Sequence, residues 1–138
     1  MNAVSKELSP GNQVSELRPG AISRTTLALF AGASGDHNPI HIDLDSARAA
    51  GMDDVFAHGM LSMAYLGRLL TDTFPQEHIR EFSARFTAIT PVLAEPVLRA
   101  VVREVITVDG EQRAVLDISA ALDDGTQTLA GSAVVALA

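Results

Sequence analysis

The run Ser34-Gly35-Asp36-His37-Asn38-Pro39-Ile40-His41 sets a carboxylate five residues before an imidazole, and Ala57-His58-Gly59-Met60 follows at the head of a long apolar segment. Pro39 pushes Asn38 towards extended or turn backbone and interrupts any helix, so Asp36 and His41 have no helical face to share. The segment reads as a loop. A loop with a fixed bend can bring both side chains to one small volume, the geometry needed for general acid/base work on a bound water. A carboxylate and an imidazole held side by side in apolar surroundings can exchange a proton near neutral pH.

Each of these residues also has a plainer reading. Taken alone, Asp36 is as readily a cap or turn residue, and His41 a partly buried histidine bonded to backbone. Asn38 before proline is an ordinary turn former, and support of the loop is its role here. His58, flanked by apolar residues, reads as a structural or supporting histidine rather than a catalyst. Gly59 opens the apolar segment as a helix, where unpaired backbone N–H groups and the helix dipole favour developing negative charge. A carbonyl oxygen set against the Gly59 amide would be stabilised as it gains charge, although a glycine there can also serve close backbone approach alone. His37 and His41 have the spacing of helical zinc ligands, but the loop removes their common face and no Glu lies between them, so no metal is expected.

The elements that position these residues follow from pattern. Met1 to Gly20, with Pro10, Gly11, Pro19 and Gly20, reads as an irregular lead with one short strand at Gln13 to Leu17. Thr25 or Thr26 can cap a short helix through Phe30, and a second covers Asp45 to Ala50 before Gly51 stops it. From Gly59 to Phe74 apolar residues surround most of a helical cylinder, which predicts a helix buried on nearly all sides. Phe82, Ala84, Phe86 and Ala88 alternate with polar residues at the period of a strand. After Pro96, Val97 to Val108 runs into Asp109-Gly110, a hairpin signal, and Ala114, Leu116, Ile118, Ala120 and Leu122 form the next apolar face. Asp124-Gly125 marks a second hairpin before a last strand from Gln127 to Leu137. These predict a meander of four antiparallel strands packed on the helix.

Composition narrows the partners. At 138 residues and 47% hydrophobic content, the chain fits one domain, residues 1–138, with a single core. A net charge of -7 argues against nucleic acid and anionic membrane surfaces. The absence of cysteine excludes disulfides and thiolate chemistry. Met1 to Pro10 lacks the apolar core of a signal peptide, and no stretch reaches a membrane span, so a cytoplasmic location is expected. Six of the nine arginines lie beyond residue 60, where some could meet a phosphate tail.

Gly35-Asp36-x-Asn38-Pro39-Ile40-His41-x-Asp43 followed by His58-Gly59-Met60-Leu61 resembles the MaoC-like dehydratase family, which includes the (R)-specific enoyl-CoA hydratases; the resemblance is clearest from Thr25 to Val92. It implies an α+β hotdog fold, an antiparallel sheet wrapped around a long helix, and pairing into dimers. It further implies Asp36 and His41 as the catalytic pair, Asn38 as a supporting residue, Gly59 as the backbone donor to a thioester oxygen, and no metal or redox cofactor. The implied reaction is reversible addition of water to a trans-2-enoyl thioester, giving the (R)-3-hydroxyacyl product. Some relatives carry a serine on the long helix near the site, whereas this chain has Gly67 in that region, which could make room for an acyl chain or a neighbouring backbone. Three alternatives stand beside it: a dehydratase subunit for acyl carrier protein thioesters working with a non-catalytic hotdog partner, a hotdog thioesterase, and a non-enzymatic partner subunit. The acidic net charge opposes the first, because carrier proteins are themselves acidic.

Overall fold

The computed structural model describes residues 8–137, so the first seven residues of the expected irregular lead lie outside the described residues. Strand β1 (Gln13–Leu17) is followed by helices α1 (Arg24–Ser34), α2 (Leu44–Ala49) and α3 (Gly59–Thr71), and then by strands β2 (Ile79–Phe86), β3 (Val97–Val108), β4 (Glu111–Ala121) and β5 (Gln127–Ala136). Among the described residues no helix is long and apolar enough to cross a membrane.

The helix ends follow local chemistry. Ser23, rather than Thr25 or Thr26, caps α1 by accepting the Thr26 amide, and the helix continues past Phe30 until Gly35 turns left-handed at φ 80°. Asp43 caps α2 by accepting from the Asp45 amide at 3.3 Å and the Ser46 hydroxyl at 2.6 Å. The hydrogen bonds to Ser46 and to the amides hold the Asp43 carboxyl below its ordinary range.

The sheet is antiparallel throughout, with strand order β1-β3-β4-β5-β2. Only β3, β4 and β5 form a meander, which corrects the four-strand expectation: β2 does not pair with the strand that follows it, but crosses to β5. Alternation specifies the face of a strand and not its neighbour, and the ten residues between β2 and β3 contain no tight turn to force a hairpin. Asp109 and Gly110, by contrast, take φ of 50° and 80°, the left-handed pair that a two-residue hairpin needs.

Leu66, Leu69 and Leu70 of α3 pack on Leu98, Leu116, Ile118, Leu129 and Val135 of the sheet in one core. Burial is one-sided: Met60, Ala64, Arg68 and Thr71, spaced at helical intervals, form an exposed stripe, so α3 is not enclosed on nearly all sides. A smaller cluster of Ile22, Leu27, Ala47, Val55, Ala57 and Leu61 packs the short helices against the start of α3 and underlies the acid-histidine turn.

Gly67 lies against Phe82, and a Cβ placed on it would meet that ring at 3.7 Å, ordinary van der Waals contact rather than a backbone or a ligand space. Helix propensity then decides. Gly67→Ala should raise unfolding free energy by roughly 0.5–1 kcal/mol, read as a higher urea midpoint; a lower midpoint would show that the glycine serves packing.

Candidate active site

The acid-histidine segment is a tight turn built by its own side chains. Asp36 accepts the Asn38 amide at 3.2 Å, Asn38 accepts the Ile40 amide at 3.3 Å, and Pro39–His41 forms one turn of 3-10 helix. The proline at the first helical position and the Asn38 cap are the reason for the bend. His41 is thereby carried inward to 8% exposure while Asp36 stays at the surface.

His41 Nδ1 lies 2.7 Å from the Phe56 carbonyl oxygen. A carbonyl only accepts, so Nδ1 carries a proton; in the neutral ring the lone pair then lies on Nε2, the form a general base requires. The Phe56 ring stands edge-on to the imidazole, with centroids 4.9 Å apart. His58 Nε2 donates to the Asp36 carbonyl at 3.1 Å, and the His58 ring stacks on His41 at 4.1 Å, so one buried side chain touches both halves of the pair. Asp36, His41 and His58 each place a ligand-type atom within 4.8 Å of the others. This cluster differs from the His37 and His41 pair weighed in the sequence.

Burial holds His58 below the ordinary imidazole value of 6.5, and the nearby His41 acts in the same direction; the hydrogen bond to the Asp36 carbonyl and the Asp36 charge oppose the shift. Its Nδ1 is buried without a partner among the described residues. An unfolded chain takes up a proton at His58 below about pH 6.5, while the folded chain resists until lower pH. Stability from this residue is therefore complete above pH 6.5 and declines as pH falls through the folded value. Urea midpoints should drop between pH 7.5 and 5.5 by less in His58→Asn than in the parent protein; equal drops would exclude His58 as the source.

Beside His41 lies a cavity of about 340 Å³, lined among others by Gly59 at the start of α3 and by Phe86. His58 gives α3 no side-chain cap; the Leu61 amide donates to the His58 carbonyl at 3.1 Å, and Gly59, the first helical residue, lines the cavity. The Phe86 ring lies over Gly59 so closely that a Cβ there would stand 2.9 Å from Phe86 Cε1. The crossover from β2 to β3 forms a second wall: the Ala57 amide donates to the Thr90 carbonyl at 2.9 Å, and Phe56 bridges Pro91. Asp36 does not line this cavity, whereas His41 and Gly59 do.

The fold thus gathers Asp36 and His41, leaves Asn38 as a cap of their turn, and sets Gly59 at the cavity. The Phe56 carbonyl and Thr90 had no signal in the sequence. Ser62, also at the cavity, was detectable as the residue one turn after Gly59 on the same helix face.

In sequence and fold the chain is similar to several known proteins. The R-hydratase PhaJ1 from Pseudomonas aeruginosa superposes with a TM-score of 0.84 at 27% identity, covering 98% of this chain and 86% of that one. The peroxisomal multifunctional enzyme type 2 of Mus musculus is 32% identical over 97 residues, 67% of this chain but 13% of the mouse protein. The (R)-specific enoyl-CoA hydratase of Rhodospirillum rubrum is 39% identical over 54 residues, 39% of this chain and 38% of that enzyme. The chain thus spans well under half the length of these two curated relatives, while the sheet and helix are those of a hotdog fold, as the motif implied. The model of the MaoC like domain matches residues 5–122, a span that holds the acid-histidine turn, the start of α3 and four of the five strands, and the chain belongs to the MaoC-like dehydratase family.

Proposed function

We propose that this chain is an (R)-specific hydratase of trans-2-enoyl thioesters, acting on coenzyme A derivatives as a single hotdog domain without metal or redox cofactor. The observation that carries the reading is the approach of the Asp36 carboxylate to His41, whose Nδ1 is bonded to the Phe56 carbonyl, beside a cavity that Gly59 lines. A thioester oxygen at that amide accepts its N–H and is stabilised as electrons from the double bond move towards it. Asp36 and His41 hold one water between them. As the water oxygen bonds to C3, the pair accepts a proton from it, and C2 receives a proton from the same pair, so one H and one OH are added in total. The two groups act as a coupled acid and base.

Of the six arginines beyond residue 60, Arg68, Arg80, Arg99, Arg103 and Arg113 are paired with carboxylates, while Arg85 on β2 has no carboxylate partner among the described residues. Being unpaired, Arg85 is the candidate among them to meet a phosphate tail. Strand β2 is also terminal in the sheet, with one ladder edge unpaired among the described residues, and this supports a homodimer, or a heterodimer with a related hotdog subunit.

The test is loss of conjugated enoyl absorbance with short enoyl-CoA substrates, before and after treatment with a chelator. Hydration that the chelator does not change supports the reading. Turnover only of carrier-linked substrate, or only with an added subunit, would replace it with the carrier-protein dehydratase. Release of free coenzyme A would replace it with a thioesterase.

A further inference from the structure

The cavity wall is apolar at Phe56, Ala57, Phe86, Ala88, Ile89 and Leu129, yet three hydroxyl residues, Ser62, Thr87 and Thr90, interrupt it. Ser62 is 3% exposed and Thr90 4%. Neither side chain has a hydrogen-bonding partner in the protein among the described residues, and neither oxygen is among the polar atoms sealed from solvent. Thr87, the third hydroxyl at the cavity, is already committed: it donates to the Gln127 carbonyl at 2.7 Å. The Thr90 carbonyl is likewise used, by the Ala57 amide, which fixes the backbone and leaves the hydroxyl uncommitted. Each oxygen therefore keeps an open side on which a water or a ligand atom can be hydrogen-bonded. Alanine at 62 and valine at 90 would remove these hydroxyls with little change in shape.

Position says what the hydroxyls could meet. Ser62 follows Gly59 by three residues, so it lies on the same face of α3, one turn further along than the amide that takes the thioester oxygen. Among the described residues His41 is the only titratable one at the cavity, and no Lys or Arg lines it. An anionic acyl group would be buried there without a counter-charge. A neutral oxygen, which can accept one hydroxyl hydrogen and donate to or accept from the other, is matched.

Building on the hydratase reading, we propose that Ser62 and Thr90 form a polar subsite for a neutral oxygen substituent on the acyl chain. The substrate class is then oxygenated enoyl thioesters, carrying a hydroxyl or ether oxygen beyond the double bond, in preference to plain alkyl chains.

The experiment compares trans-2-hexenoyl-CoA with its 5-hydroxy and 6-hydroxy derivatives, which share one chain length. The parent protein should turn over at least one hydroxylated substrate with kcat/KM about 5- to 50-fold above the plain one. In the Ser62→Ala/Thr90→Val double variant that ratio should collapse towards one. A parent ratio at or below one for both derivatives, which needs no variant, would overturn the subsite. So would a preference that survives in the double variant, since ordered waters filling the subsite, or contacts elsewhere, would then account for it. Failure to hydrate any of the three substrates sinks the hydratase reading itself, and is distinguishable from hydration of all three without preference.

Discussion

Gly131→Ala should cost about 3 kcal/mol of stability, a drop of about 10 °C in Tm. Gly131 sits in β5 opposite Ile118 of β4 on one side and Ala84 of β2 on the other. A Cβ built on it would stand 2.0 Å from the Ser83 carbonyl oxygen and 2.7 Å from the Ala84 Cα. Both obstacles are backbone, so no rotamer change relieves them; β2 must move away from β5 and loosen its ladder. The consequence reaches the site, because β2 ends at Phe86 and the chain continues through Ala88 and Thr90 along the cavity wall. Urea unfolding of parent and variant measures the first effect. An unchanged midpoint would mean that the two strands are not held as closely as the structure shows them.

Asp36→Asn should lower kcat by about 10² to 10⁴-fold, the range for loss of one positioned acid or base, with little change in stability. The stability expectation has a specific reason. The asparagine oxygen can still accept the Asn38 amide that Asp36 accepts at 3.2 Å, so the turn is kept and only the exchangeable charge is lost. His41→Ala should lower kcat as far, but it also removes the hydrogen bond to the Phe56 carbonyl and the stack on His58, and about 1 kcal/mol of stability with them. Enoyl-CoA hydration rates, with unfolding curves on the same samples, separate the two effects. Near-normal turnover in either variant would contradict the proposed pair.

What could be read from the chain was the chemistry of short segments. Asn38-Pro39 dictated a bend whatever the surroundings, and the structure uses it to turn His41 inward. Asp109-Gly110 specified a hairpin for the same local reason. The partner of β2 was not legible, because an alternating strand fits any sheet edge with the right face, and its choice of β5 rests on contacts far apart in sequence. The exposed stripe on α3 escaped notice because Met60 and Ala64 look like core residues in isolation. His58 shows the limit most clearly. Its type and apolar neighbours suggested a supporting role, but only the fold shows that one imidazole touches both Asp36 and His41.

The account depends on one arrangement: a thioester oxygen held at the Gly59 amide with its double bond facing Asp36 and His41. A crystal structure with a saturated acyl-CoA, which cannot be hydrated, tests it directly. The expected result is the thioester oxygen within hydrogen-bonding distance of the Gly59 N–H and C3 beside a water shared by the Asp36 carboxylate and His41 Nε2. A thioester seated elsewhere, or an Asp36 carboxylate turned away from that water while His41 points into the cavity, would contradict it.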